Sequence, residues 1–321
     1  MRFLLTIVLL ASIALAQQPD PIGLSDFPVP AWPSDGVVPA SMKDTYVFVD
    51  VPKNEYVIAY PENLGTETFA KDGPGRMKIS RYELLRNVAP AVSVVITPTN
   101  TSKLMYEYSV VNGSSAKQSI DTWLLVLPEA SSADTLKTPD GWFGIIQKQR
   151  KFKLKNPEWI RQGSAAVWSF QKPEQFILPG SSKKGFQIES ELRPGFTVAF
   201  LRKSESVDVK VTTQGNIPKE VKDQLDQLLA LEYNSRTVLT YGPKFEKTAA
   251  DYNIAEDYIQ GIITLSRAGV LDLSSDFLRN VMSELTLIKP GAAAAVKLSA
   301  SPKTAAETDL LNALKISLHL N

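Results

Sequence analysis

Alternating apolar and polar positions dominate the middle of this chain, and helical spacing replaces them toward its C-terminal third. The clearest alternation is at 104–111, where Leu104, Tyr106, Tyr108 and Val110 recur at every second residue and so share one face of a strand. Asn112-Gly113-Ser114-Ser115 supplies turn chemistry, and 120–127 runs back. The same pattern predicts strands at 91–97, 142–154, 165–170, 186–191, 196–201 and 207–211, giving eight short strands with no helical period between them. Such a succession predicts an antiparallel β-sandwich. Upstream, Tyr46-Val47-Phe48-Val49 and Tyr56-Val57-Ile58-Ala59-Tyr60 flank Pro52-Lys53-Asn54-Glu55 and predict a β-hairpin.

Beyond 211 the period changes from two to about 3.6. Ile217-Pro218 opens a predicted helix with Val221, Leu225, Leu228 and Leu229 on one stripe, Pro218 being tolerated in the first turn. A second carries Ile254, Tyr258, Ile262 and Leu265 and stops near Gly269. Asp272 or Ser274 caps a third, striped with Phe277, Leu278, Val281, Met282 and Leu285 and ended by Pro290-Gly291. After an alanine-rich linker at 292–295, Thr304 and Glu307 form a capping box for a fourth helix through Leu310, Leu311 and Leu314. Amphipathic helices of this length bury their stripes against one another, which predicts an α-helical domain at 217–321. Leu314, Ile316, Leu318 and Leu320 also alternate as a strand would. The fold class is thus α+β and multidomain: mainly an antiparallel β-sandwich at 87–212, followed by helices.

Arg2, the apolar run that follows it and Ala14-Leu15-Ala16 have the order of a cleavable secretory signal at 1–16. Residues 17–40 carry Pro19, Pro21, Pro28, Pro30, Pro33 and Pro39, and so predict an extended arm that Trp32 pins to the body or offers to a partner. A β-hairpin region at 41–86 follows. No later segment has the roughly 18 consecutive apolar residues of a membrane span. The expectation is an exported protein, periplasmic or extracellular, without a transmembrane span.

Three further segments carry a resemblance. Tyr106-Glu107-Tyr108-Ser109-Val110-Val111-Asn112-Gly113, then Pro139-Asp140-Gly141-Trp142, then Ile177-Leu178-Pro179-Gly180-Ser181 before Gly185-Phe186, resemble bacterial immunoglobulin-like accessory modules. In those modules a strand ends at Asn-Gly, a Pro-x-Gly-Trp loop follows and a Pro-Gly turn introduces the next strand. The resemblance implies a non-catalytic sandwich used for spacing or binding, and names no ligand.

Composition narrows the chemistry. The 321 residues include no Cys and one His, with 35 Lys plus Arg against 34 Asp plus Glu and a formal charge of +1. Disulfides, thiolate zinc sites and cysteine nucleophiles are excluded. A serine triad is disfavoured, because His319 stands two residues from Asn321, where chains fray. No cofactor or metal site is indicated, and a near-neutral chain has no overall attraction to nucleic acid. Paired carboxylates for glycoside hydrolysis remain an alternative that composition only permits.

The candidate ligand-binding residues are Trp142, Lys151, Lys153, Lys155, Trp159 and Trp168. Lys151, Lys153 and Lys155 line one side of an extended segment, where they attract an acidic ligand or guard a strand edge. The tryptophans stack on sugar rings if exposed and fill the sandwich core if buried. Two functions follow. One is a non-catalytic binding or scaffold protein with an envelope or extracellular protein as partner. The other is a carbohydrate-binding protein for an acidic polysaccharide.

Overall fold

The structure, a computed structural model, describes residues 30–50, 52–62, 64, 77–128, 135–151, 162–170, 173–203, 217–228, 235–290 and 297–320. β1 (Val47–Asp50), β2 (Glu55–Pro61) and β3 (Met77–Glu83) form an N-terminal antiparallel sheet in that order. The predicted hairpin is its β1–β2 half. One face, with Tyr56, Ile58 and Tyr60, is covered by Val221 and Leu225 of helix α1 (Lys219–Leu228). The other, with Phe48, Val57 and Ala59, is covered by the proline-rich arm. Trp32 meets Phe48 edge-on at 5.2 Å, and the arm exchanges backbone hydrogen bonds with Val49, so Trp32 pins the arm to the body.

Two larger sheets face each other. One has the order β4 (Pro90–Pro98), β5 (Leu104–Asn112), β10 (Ser181–Ser190), β7 (Thr135–Lys137). The other runs β12 (Arg236–Phe245), β11 (Arg193–Arg202), β6 (Thr122–Leu127), β9 (Gln162–Phe170), β8 (Trp142–Lys151). In immunoglobulin lettering, β4, β5 and β10 occupy A, B and E, and β6, β11 and β12 occupy C, F and G. All pairings within the two sheets are antiparallel. The sandwich is immunoglobulin-like, with β7 beside β10 where strand D would lie and β9 and β8 extending the second sheet.

The sandwich core is aromatic. Trp123 on β6 stacks on Trp168 of β9, ring centres 4.1 Å apart, and Tyr108 and Phe186 meet Trp123 edge-on at 5.7 and 5.2 Å. Leu104, Tyr106, Tyr108 and Val110 face this core as their alternation predicts. The buried tyrosine hydroxyls are satisfied: Tyr106 donates to the carbonyl of Leu192 at 2.6 Å and Tyr108 to that of Tyr241 at 3.2 Å. Burial pushes both phenols well above their ordinary pKa, so they remain hydrogen-bond donors.

The C-terminal stretch departs from the expected helical domain in two ways. β12 lies inside it, yet pairs with β11 along nine positions and belongs to the sandwich. Helix α1 packs on the N-terminal sheet instead of on the other helices. Only α2 (Asp251–Arg267), α3 (Ser275–Leu285) and α4 (Ala305–Ser317) form a helical layer, and their stripes bury against Phe196, Tyr241, Val94 and Ile96 of the sandwich as well as against each other. The strand alternative for the last residues does not occur, since α4 continues through Ser317. The predicted strand at 207–211 and the linker at 292–295 lie outside the described residues.

The capping box at Thr304 and Glu307 forms as expected. Glu307 also reaches beyond it, accepting from Ser274 Oγ at 2.6 Å and Ser274 N at 2.8 Å, so one buried carboxylate joins the starts of α3 and α4. The Ser274 hydroxyl, followed by the Lys303, Ser274 and Thr304 amides, holds its pKa down at about 2.

Two predictions follow from these contacts. Trp123→Ala lowers unfolding stability by about 3–5 kcal/mol in denaturant titrations. Trp123→Phe costs less, because the deleted indole N–H has no hydrogen-bond partner. Since the folded pKa of Glu307 lies below the ordinary 4.5, its contribution is complete above that value and lost as pH falls toward 2. Thermal unfolding scanned from about pH 6 to pH 2.5 therefore shows a loss of Tm that is smaller in Glu307→Gln.

Candidate functional site

The sequence-derived candidates separate. Trp142 is 4% exposed and Trp168 fully buried, both in the sandwich core. Their indole N–H groups donate to the carbonyls of Gln175 and Lys137 at 3.0 and 3.4 Å. Neither ring presents a face to a ligand, so of the two readings given for the tryptophans these two take core filling, and as candidate ligand-binding residues they are corrected. The inward period of β8 and β9 explains it: Trp142 sits opposite Phe170, and Trp168 opposite Trp123. Lys151 ends β8, at the edge of its sheet. Lys153, Lys155 and Trp159 lie outside the described residues.

A different site forms at the seam between the sandwich and the helical layer. A cavity of about 480 Å³ is lined by Pro98, Ser102, Lys103 and Leu104 from the β4–β5 turn and by Glu191 and Arg193 from the β10–β11 turn. Lys247 after β12 and Lys315, Ile316, His319 and Leu320 at the end of α4 close it. Its size falls within the roughly 300–1,000 Å³ of small-ligand sites. The lining holds four basic residues, Lys103, Arg193, Lys247 and Lys315, and one acidic residue, Glu191. Pro98, Leu104, Ile316 and Leu320 make the rest of the wall largely apolar.

Local chemistry explains how these residues are held. The β4–β5 turn closes through Thr99 N to the Lys103 carbonyl at 2.8 Å, with Thr99 Oγ1 donating to the same oxygen. Ser102 at its tip adopts φ +55°. At the other wall α4 ends in a Schellman-type cap: Leu320 N–H bonds the Lys315 carbonyl at 2.9 Å while His319 takes φ +52°, a place usually given to Gly. Among the described residues three non-glycine positions have positive φ, and two of them, Ser102 and His319, line this cavity. Strained backbone of this kind concentrates at functional sites. His319 is thus set by the helix cap, unlike the frayed end expected for it. Ser102 Oγ donates to the Thr101 carbonyl at 2.7 Å, so the hydroxyl is engaged with its own turn.

Arg193 ties the walls together. It is 4% exposed and donates from Nη1 to Asp251 Oδ1 at 2.8 Å and to the Ser317 carbonyl at 2.9 Å, and from Nη2 to the Ala249 carbonyl. One guanidinium at the start of β11 thereby fixes the β12–α2 loop and the last turn of α4. The neighbouring Pro194 carbonyl accepts from Tyr258 Oη at 3.0 Å and from Ser317 Oγ. Nearby, Lys244 bonds Asp257 at 2.6 Å, and burial, opposed by that carboxylate, lowers its pKa. Among the described residues no cluster of three or more His, Asp or Glu side chains is placed to hold a metal ion. None of their helices is long and apolar enough to cross a membrane.

No family model and no curated protein matches the chain. A solved structure, an uncharacterized protein from Nocardia farcinica described as having an immunoglobulin-like fold, is similar at 10% sequence identity and a TM-score of 0.26. The match covers 46% of this chain and 96% of that one.

The sequence pattern could not disclose this cavity, because its walls come from four segments spread between 98 and 320. The available signal was local: Thr99-Asn100-Thr101-Ser102-Lys103 is a polar turn between two β-rich runs, and Lys315 stands in the last turn of a capped helix.

Replacing Arg193 tests the seam. Arg193→Met leaves the Ser317 and Ala249 carbonyls without their buried donor and lowers stability by about 3–5 kcal/mol in denaturant unfolding. Asp251→Asn costs about 1 kcal/mol or less, because that carboxylate is 41% exposed.

Proposed function

We propose that this chain is a non-catalytic exported binding protein whose immunoglobulin-like sandwich frames a seam cavity for an anionic ligand. The observation that carries the reading is the basic character of that lining: Lys247 and Lys315 stand in it with Lys103 and the Asp251-paired Arg193, against Glu191 as its one acidic residue. The two strained residues in the same walls support it. Export is supported by the leader-like order of 1–16, with Arg2 before an apolar run and Ala14-Leu15-Ala16 at its end.

A protein partner on the helices is a weaker reading. The apolar stripes of α2, α3 and α4 are turned onto the sandwich and onto one another, which leaves mostly polar faces outward. The acidic-polysaccharide reading loses Trp142 and Trp168 as stacking platforms.

Thermal unfolding of the whole chain with inorganic phosphate, glucuronate or simple carboxylates tests the proposal, with choline as a cationic control. Anions raise Tm; a ligand at about 100 times its Kd stabilises by about 2.7 kcal/mol. The effect shrinks as ionic strength rises from about 0.01 to 0.15 M and in Lys247→Ala/Lys315→Ala. An equal response to choline, or an unchanged response in the double variant, contradicts it.

A further inference from the structure

Resting on the anion-binding reading, we propose that the ligand of the seam cavity is a single-headed amphiphile: an aliphatic carboxylate whose acid group meets the lysines and whose hydrocarbon lies along the apolar wall.

Two properties of the lining lead here together. The basic groups come from the turns and ends of elements, Lys103 on the β4–β5 turn, Lys247 after β12 and Lys315 in the last turn of α4. Pro98, Leu104, Ile316 and Leu320 supply hydrocarbon to the same lining. Leu104 and Leu320 also lean on the cores beneath, Leu104 on the sandwich cluster and Leu320 on the helical one, so the apolar part of the cavity continues both cores. A fully hydrophilic anion, such as phosphate or a uronic acid, satisfies the lysines and leaves that wall against water. An uncharged hydrocarbon does the reverse. Only a ligand with both parts meets the whole surface.

The charge arrangement sets the number of acid groups. Asp251 and two carbonyls already engage Arg193, so its guanidinium contributes chiefly to the walls. Glu191 repels a second negative centre on its side. One head group at Lys247 and Lys315 suits this distribution, whereas a polyanion would bring charge against Glu191.

Titration calorimetry on the full chain, below the critical micelle concentrations, separates the alternatives with acetate, hexanoate, decanoate, decanol and inorganic phosphate as probes. Affinity rises about fourfold for each methylene that the cavity takes up, so decanoate binds far more tightly than acetate or phosphate. Lys247→Glu and Lys315→Glu, surface changes whose folding is checked by circular dichroism, each weaken decanoate about fivefold or more and leave decanol unchanged. If acetate, decanoate and phosphate bind alike and all depend on the lysines, the amphiphile is overturned while the anion-binding reading stands. If decanol binds as well as decanoate, or if no probe binds, both are overturned.

Discussion

The guanidinium of Arg193 is the contact on which the arrangement of this molecule depends. It sits at the start of β11, where the sandwich meets the helical layer, and its donors reach Asp251, Ala249 and Ser317. A buried cation is costly to desolvate, and here the cost is offset by the ion pair with Asp251 and the carbonyls that Nη1 and Nη2 reach, Nε being left without an acceptor. That pairing makes the seam selective in geometry: the loop before α2 and the end of α4 must both present their acceptors. The Pro194 carbonyl, shared by Tyr258 and Ser317, adds a second polar lock one residue away. The cavity is the space left beside these locks, and its walls are the segments they hold.

Behind the seam, the sandwich provides a frame without a covalent staple. Antibody domains place a buried Trp on strand C against a disulfide between strands B and F. In this cysteine-free chain Trp123 on β6 fills the equivalent place and stacks on Trp168, with Tyr108 and Phe186 closing around it. Large aromatic burial takes the place of the missing bridge, and the tyrosine hydroxyls tie this core to strand β12 and to the β10–β11 turn. Tyr106 in particular bonds the carbonyl of Leu192, between Glu191 and Arg193, so core packing and cavity geometry share a side chain.

Much of the sandwich was legible because strands such as β5 alternate between a buried and a more exposed side. Leu104, Tyr106, Tyr108 and Val110 point inward as alternation requires, and the capping box at Thr304 and Glu307 starts a helix where it stands. β12 was not legible, because Gly242-Pro243 reads as a break. It is a strand all the same, since it lies at the sheet edge, where a missing N–H costs no ladder bond. β3 escaped for a related reason: Met77, Ile79, Arg81 and Glu83 mix apolar and charged residues on an edge strand half open to water. The helical period of α1 was visible, but periodicity does not say which surface a stripe will cover, and Val221 and Leu225 chose the N-terminal sheet. For the site, burial overrode composition: tryptophans conspicuous in sequence were spent on the core, and the cavity drew on lysines that share no local pattern.

The central claim is that the seam cavity is where this protein meets its ligand. Amide hydrogen exchange read by mass spectrometry, with and without saturating decanoate, addresses it over the whole chain at once. The account predicts slowed exchange confined to peptides spanning 98–104, 191–193, 247 and 315–320. Protection centred instead on the outer end of β8 around 148–151, or no change anywhere, would contradict it.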